Sequence, residues 1–188
     1  MPPLWRPSES GYSAFVEHLA AAGDHPTLVP WPIGPAWSVS DHARVGGRRT
    51  DPAGRTLATL TCCSGPSALD GPVDALVVLE EPGVGLGARC AGLGEHAPGA
   101  DLGEGRPTTR VRLAQHSVPL WPLSTSGSAA ADLDRSVLVG ESGGRWLWLV
   151  LRPASAMLML REDWILQDAA ELGPLLVEVA FGGARPPW

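Results

Sequence analysis

The sequence predicts an α+β protein in which one N-terminal amphipathic helix packs on a mainly antiparallel β-sheet or a partly closed barrel. Three observations lead to this prediction: apolar residues at helical spacing near the N-terminus, a series of short strand-like segments bounded by Gly, Pro or Asp, and a length of 188 residues, which suits one domain with a real core. We expect residues 1–9 to be a Pro-rich tail or linker remnant and residues 10–188 to be a single globular domain.

The N-terminal helix is predicted between Ser8 or Ser10, either of which can cap it, and Gly23, which ends it. Glu17 and His18 should face water on this helix. The predicted buried face consists of apolar residues spaced at i, i+3, i+4 and i+7. Its members are Tyr12, Phe15, Val16 and Leu19.

Strands are predicted for most of the remaining chain. A Pro-rich stretch over 25–37 comes first and should cross the fold in extended form, anchored by Trp31 and Trp37. Four strands are predicted at "WSVSDHARV", "TLATLTCC", "VDALVVLEE" and "TTRVRLAQ". Three more lie within "SVLVGESGGRWLWLVLRPASAMLML", with a hairpin at "ESGG". A last pair, "DWILQD" and "LLVEVAF", flanks a helical turn at "AAELGP". Residues 92–107 and "STSGSAAADLD" are predicted as loop and flexible connector.

The charge balance argues against a nucleic acid partner, and the lengths of the apolar runs argue against a membrane. Twenty acidic residues face fourteen basic ones, all arginines, and the net charge is -6. Nucleic acid binding needs a basic face, and the densest basic patch, Arg44, Arg48 and Arg49, is more typical of a solvated edge.

The longest apolar run, "WLWLVL", is too short to span a membrane, and the N-terminus lacks the apolar core of a signal peptide. We therefore expect a cytoplasmic protein.

The Gly-rich stretch "EEPGVGLGARCAG" over 80–92 is similar to a phosphate-binding loop, since a G-x-G-x-x-A pattern follows a predicted strand. Two features oppose that interpretation. Glu80 and Glu81 place carboxylates where a pyrophosphate would approach, and the glycines that follow cannot hold a helix of ordinary length. A turn or bulge is the favoured interpretation, with one glutamate solvated and the other paired, for example with Arg89.

Ser142 lies in "VGESGG", which fits the G-x-S-x-G pattern of hydrolase nucleophiles. That pattern requires a following helix and a later histidine, whereas the next residues alternate like a strand and the last histidine is His116. The protease order of His, Asp and Ser stays open, with His42 or His116 and Asp101 or Asp132. A strand-turn-strand hairpin explains the stretch fully, so no catalytic residue is predicted.

Metal binding has little support in the sequence. The five histidines have no metal-binding spacing and the three cysteines form no CxxC pair. A site built from Cys63, Cys90 and one histidine stays open, while Cys62 and Cys63 should point to opposite faces of a strand. We predict neither a cofactor nor a metal.

Eight tryptophans accompany only one Tyr and two Phe. In "RWLWLVL", Trp146 and Trp148 alternate with leucines, so both faces of this strand should be covered by the helix, a second layer or another chain. Trp-rich faces are common at interfaces and in apolar ligand pockets, although core packing is the more frequent role.

Several stretches together resemble one uncharacterised actinobacterial family of unknown function: "PWPIGPAW", "CSGPSALDGPVDALVVLEEPGVGLGARCAG", "PLWPL" and "VGESGGRWLWLVLRP". The resemblance runs from Pro30 to Asp168, and its signatures are E-E-x-G-V-G-L-G-A-R-x-A-G and G-E-x-x-G-x-W-L-W. It implies a cytoplasmic domain and supplies no catalytic residue. Many members begin with a four-ligand zinc ribbon, which the given residues do not include; either this member lacks the ribbon or the chain begins late, so no zinc role is carried over. The family pattern does not need a serine at Ser142.

Two functions follow from these observations. The favoured one is a non-enzymatic module that binds a protein or small molecule through a Trp-rich surface, with a homodimer left open. The alternative is an enzyme acting on an anionic small metabolite, held by Arg89 and the backbone amides of 85–88 with Glu80 or Glu81 as base. The candidate binding residues are Trp31, Trp37, Glu80, Glu81, Gly85, Gly87, Arg89, Trp121 and Trp146.

Overall fold

The computed structural model of the chain describes residues 3–46, 54–93, 98, 102–125, 134–160 and 164–188. The predicted connector "STSGSAAADLD" lies largely outside these residues, and so do Arg48 and Arg49. The described strands are β1 (Leu4–Trp5), β2 (Leu28–Pro30), β3 (Ser38–Gly46), β4 (Thr56–Ser67), β5 (Gly71–Glu80), β6 (Thr109–Leu113), β7 (His116–Pro122), β8 (Ser136–Ser142), β9 (Arg145–Arg152) and β10 (Ile165–Asp168). The helices are α1 (Tyr12–Ala22), α2 (Leu86–Cys90) and two 3-10 helices, Ala154–Met159 and Ala169–Glu178.

The ten strands form one open sheet in the order β1-β3-β4-β5-β9-β8-β7-β6-β10-β2. The described pairs are antiparallel except for β10 with β6, which is parallel. The α+β class and the mainly antiparallel sheet are therefore confirmed. The sheet is not closed into a barrel, because the edge strands β1 and β2 do not pair with each other.

The sheet curves so that β2, at one end of the strand order, lies against β4. The Oγ1 of Thr59 donates a hydrogen bond to the carbonyl of Pro26 at 2.6 Å, and the Oγ1 of Thr61 donates to the carbonyl of Leu28. Side-chain hydroxyls thus satisfy backbone acceptors at this end of the sheet, where strand pairing would have closed a barrel.

The central strands β5 and β9 are buried on both faces, as the alternation in "RWLWLVL" predicts. Trp148 and Val150 pack with Leu86 and Cys90 of α2 on one face. On the other face Leu147, Leu149 and Leu151 join a cluster that includes residues of β2, β6, β7 and β10. One short helix and the curvature of the sheet therefore cover the two faces.

Helix α1 lies in the predicted place, but the face it buries differs from the prediction. Phe15, His18 and Ala22 are buried, whereas Tyr12 and Val16 are exposed. The imidazole of His18, expected in water, stacks on the ring of Phe15 at 5.8 Å, and its Nε2 lies 3.1 Å from the Oγ1 of Thr27. A hydrogen-bond partner nine residues away, beyond the end of the helix, satisfies the polar side chain and allows it to be buried.

Two predicted strands are 3-10 helices. "AMLML" lies mostly in the first 3-10 helix, and most of "LLVEVAF" lies in the second, in which Gly173 has φ 54° and Pro174 lacks a backbone N–H donor. Conversely, β7 was not predicted, because it contains Pro119 and Pro122. No helix among the described residues is long and apolar enough to cross a membrane.

Candidate functional site

The Gly-rich loop folds back on the end of β5. Gly83 and Gly85 take φ values of 87° and 80°, a left-handed region that side chains other than glycine rarely adopt. The loop leads into α2, a helix of five residues that the sequence did not predict. The Oε2 of Glu80 accepts hydrogen bonds from the backbone amides of Leu86 at 2.6 Å and Gly87 at 3.1 Å.

Glu80 therefore occupies the position that the sequence suggested for a ligand anion. Its side chain is almost completely buried, and burial raises the pKa of its carboxyl above the usual range, although the amides of Gly87 and Leu86 favour the charged form. Two of the backbone donors expected to hold a metabolite are already bonded to the chain's own carboxyl group.

Glu81 and Arg89 do not form the predicted pair. The Oε1 of Glu81 accepts from Arg55 at 2.5 Å and from the Nε of Arg145 at 3.1 Å. Arg89 is exposed on α2, and its guanidinium lies 5.6 Å from the ring centre of Trp188. The three charged residues predicted at the loop thus have separate partners.

Gly87 has a packing role. A Cβ placed there would lie 2.3 Å from the indole ring of Trp148, which is fully buried in β9. Only glycine lets α2 approach the sheet this closely. The signature motif around 80–92 is therefore explained by the packing of loop, helix and sheet.

Both ends of the described chain converge on Asp41 of β3, on the same side of the sheet as α2. Its fully buried carboxylate pairs with Arg6 at 2.5 Å and Arg185 at 2.6 Å, and it accepts a hydrogen bond from the Nε1 of Trp188 at 2.8 Å. Burial alone would raise the pKa of Asp41, but these three donors outweigh it and hold the pKa below the usual range. The division at residue 10 stays a prediction; Leu4–Trp5 pair with β3.

The tryptophans lie around the molecule, so they do not make one surface. Trp148 is buried and the other seven are half-buried. Trp31 and Trp37 pack on one cluster of core residues, which includes Phe15. Trp146 packs on the cluster beside α2, and Trp121 lies on β7. The structure thus brings together Trp31 and Trp37 and separates them from the other two predicted tryptophans.

Trp37 is fixed rigidly in that arrangement. Its Nε1 donates to the carbonyl of Pro66 at 3.1 Å, and its ring covers Gly65, where a Cβ would lie 2.3 Å away. The prediction that Trp31 and Trp37 anchor the Pro-rich crossing agrees with these contacts, since both pack on the core.

Next to Trp31 the structure exposes an apolar surface, which we call the α1 face. It lies over the cluster of Phe15, Leu172 and Leu176, and the ring of Tyr12 contacts that of Phe181 at 6.2 Å. Its exposed members are Tyr12 (47%), Val16 (39%), Leu175 (46%) and Val177 (72%), and its half-buried members are Trp31, Ile33 and Phe181.

The α1 face differs from the sequence predictions in two respects. Tyr12 and Val16 were predicted to be buried, and Leu175 and Val177 were placed in a strand. One signal was available: Leu175, Leu176 and Val177 follow a Gly-Pro break, and a single helical turn cannot bury three consecutive side chains on one side.

Five exposed carboxylates lie close in sequence to the residues of the α1 face, and we call them the acidic rim. They lie on or next to α1 and the second 3-10 helix: Glu9, Glu17, Asp24, Glu171 and Glu178. The sequence has no arginine over 7–43 or 164–184. The nearest arginines in sequence on the described chain are Arg6 and Arg185, which are both paired with Asp41, and Arg44, whose guanidinium lies 5.4 Å from the ring centre of Trp5.

Beneath the α1 face lies a cluster of neutral histidines. The imidazole of His42 is edge-on to the rings of Phe15 and His18, both at 5.1 Å. Burial, with smaller effects from His42 and Arg44, lowers the pKa of His18 to about 3. Burial also lowers the pKa of His42 and His25. These histidines act as core residues at neutral pH.

The metal and nucleophile alternatives find no site in the described part of the chain. No group of three His, Cys, Asp or Glu residues there could hold a metal. Cys62 and Cys63 point to opposite faces of β4, as predicted, and Cys90 shares the face of Cys62, so Cys63 and Cys90 cannot meet. Ser142 pairs with Arg145 across a two-residue turn whose glycines have φ values of 61° and 80°. Asp101 and Asp132 lie outside the described residues.

The fold and this surface define an α+β protein with one open, mainly antiparallel sheet and an uncovered apolar face. The chain belongs to a family of unknown function (DUF6758), whose model matches residues 1–187. This match confirms the family of unknown function that the sequence resembles; the actinobacterial origin and the zinc ribbon of other members stay predictions. A comparison with curated proteins found no match, and neither did a comparison with solved structures.

Proposed function

We propose that this chain is a non-enzymatic protein-binding module and that the α1 face is its binding surface. The observation that carries the proposal is the exposure of four apolar side chains on adjacent elements, Tyr12, Val16, Leu175 and Val177, above a well-packed core. Contiguous exposed apolar surface marks interaction sites in soluble proteins. Burying one such side chain completely contributes about 1.5–3 kcal/mol.

The α1 face is preorganised for binding. Its two helices are fixed by buried residues, since Phe15 of α1 and Leu172 and Leu176 of the second 3-10 helix share one core cluster. A rigid surface loses little conformational freedom when a partner binds, so more of the contact energy appears as affinity. Trp31, already predicted as a binding residue, supplies an aromatic anchor at this surface.

The alternative function, an enzyme acting on an anionic metabolite at 80–92, has less support. It needs free backbone donors at 85–88, but Glu80 bonds the amides of Leu86 and Gly87. It also needs Arg89 near a glutamate, whereas the ring of Trp188 lies under Arg89. This alternative stays a prediction from the sequence, as does the cytoplasmic location.

Site-specific photo-crosslinking in the native host tests the proposal. A photoreactive amino acid at position 16 or 177 should give adducts of discrete mass, because both side chains lie on the α1 face. The same group at the exposed positions Leu69 and Leu158, outside the α1 face, is the matched control. The adducts should disappear when Tyr12→Ser is added. Equal labelling at all four positions, or none at 16 and 177, would contradict the proposal.

A further inference from the structure

We propose that the partner segment bound by the α1 face is a basic amphipathic peptide, with apolar anchor residues flanked by Lys or Arg. This inference rests on the proposed function and adds the chemical class of the partner. Two observations carry it: the exposed apolar members of the α1 face, and the exposed carboxylates of the acidic rim on or next to the same helices.

The exposed charged side chains on the two helices that carry the α1 face have a single sign. The acidic rim supplies five exposed carboxylates, and the two stretches over 7–43 and 164–184 contain no arginine and no lysine. Ion pairs within the described residues involve Asp41 and Glu81 and none of the rim carboxylates. The negative charge of the acidic rim therefore faces outward, where it can attract a partner.

This charge distribution selects among possible occupants. Nucleic acid and anionic lipid carry negative charge and would be repelled by the acidic rim. A second copy docked through the same face would bring two acidic rims together. An apolar segment flanked by cations satisfies both parts of the surface, because its anchors cover Val16 and Val177 while its flanks meet Glu17 and Glu178.

One basic surface of the chain itself is a competing occupant. Arg110 and Arg112 are exposed on the same face of β6, next to Arg106. In a head-to-tail contact these arginines of one copy would meet the acidic rim of the next. Such a contact would show as self-association, so the test must measure it.

Peptide display against the purified, immobilised chain tests the inference without a known partner. Selected peptides should contain two or more apolar anchors flanked by Lys or Arg, and binding should weaken as salt rises. A rim variant with Glu17→Arg, Glu171→Arg and Glu178→Arg should bind the selected peptides at least about fivefold more weakly at low salt. Selection against that variant should return acidic flanks with the same kind of anchors.

Two further variants separate the inference from the proposed function. Val16→Ser with Val177→Ser should abolish peptide binding, whereas Leu69→Ser with Leu158→Ser should leave it unchanged, and thermal unfolding of each variant verifies its fold. If the selected peptides have neutral or acidic flanks but still bind only when Val16 and Val177 are present, the inference is overturned and the proposed function stands. If the chain self-associates and the variant Arg110→Ala with Arg112→Ala does not, the inference is overturned in the same way. Peptides that bind the Val16→Ser, Val177→Ser variant as well as the unmodified chain would overturn both.

Discussion

The loop over 80–92 and the α1 face differ in how they use their residues. The loop carries the most conspicuous motif of the sequence, yet its polar and glycine residues are engaged inside the fold: Glu80 bonds α2 and Gly87 admits the ring of Trp148. The α1 face carries no motif, yet it leaves apolar side chains in solvent above a complete core. A sequence motif can thus arise from the needs of close packing, whereas a binding surface is recognised by the apolar side chains that the fold leaves exposed.

The largest expected effect on stability lies at Asp41, which, like the loop over 80–92, makes its contacts inside the fold. Asp41→Ala removes the buried carboxylate that Arg6, Arg185 and Trp188 share, which should lower the free energy of unfolding at pH 7 by about 3 kcal/mol. Both arginines are partly exposed, so their guanidinium groups can be hydrated in the variant. The loss of stability should therefore lie at the lower end of the range for broken buried ion pairs. Urea denaturation measures it, with Asp24→Ala as an exposed control.

The pH dependence of this effect has a definite sign. The folded-state pKa of Asp41 is lowered below its ordinary value of 3.8, so the carboxylate stabilises the fold above that pH. The stability should be lost as the pH falls below 3.8 through the lowered folded-state value. The difference in the free energy of unfolding between the unmodified chain and Asp41→Ala should therefore become smaller in acid. A difference that does not change with pH would mean that Asp41 stabilises the fold through packing alone.

The parts of the fold that sequence could predict depend on local patterns. The apolar run in β5, the alternation in β9 and the glycine pair before Arg145 predict two strands and a hairpin, because each of these signals lies within a few residues. The buried side of α1 could not be predicted, since it depends on the contact of His18 with Thr27. Nor could the parallel pairing of β10 with β6, which joins segments far apart in the chain.

The candidate site was predictable only in part for the same reason. Trp31 was chosen from its residue type and does lie at the α1 face. Val16 has the right spacing for a core position, but the rotation of α1 exposes it. The role of Glu80 depends on a backbone path through left-handed glycines, which composition alone does not specify.

Gly87→Ala should have the next largest effect. The new methyl group would lie 2.3 Å from the ring of Trp148, which packs in the centre of the sheet and has no room to move. Overpacking of this kind costs about 1–3 kcal/mol, measurable as a lower thermal midpoint. Gly11→Ala is the matched control, because nothing lies within 4 Å of its Cβ and its φ is -155°. Equal midpoints for the two variants would show that α2 is not closely packed.

Glu80→Gln should have a smaller effect with the opposite pH dependence to that of Asp41. The amide oxygen can still accept from Leu86 and Gly87, so the change should be about 1 kcal/mol or less near pH 4. Burial raises the folded-state pKa of Glu80 above its ordinary value of 4.5. The carboxyl therefore contributes fully to stability below pH 4.5 and loses that contribution as the pH rises. The variant should gain relative to the unmodified chain from pH 4 to pH 7, as urea titrations at both values would show. A relative loss over that range would mean that the hydrogen bonds from Leu86 and Gly87 to the charged carboxylate outweigh the effect of its burial.

The smallest effect on stability should come from the α1 face. Val16→Ser with Val177→Ser changes two exposed side chains that the core does not need, so the free energy of unfolding should stay within about 0.5 kcal/mol for each substitution. The same double variant should lose peptide binding and the crosslinks at the α1 face. Stability and binding would then be separated: Asp41 and Gly87 support the fold, and Val16 and Val177 serve a partner. A double variant that unfolds several degrees lower would show instead that these side chains belong to the core, and the contrast between the two regions would fail.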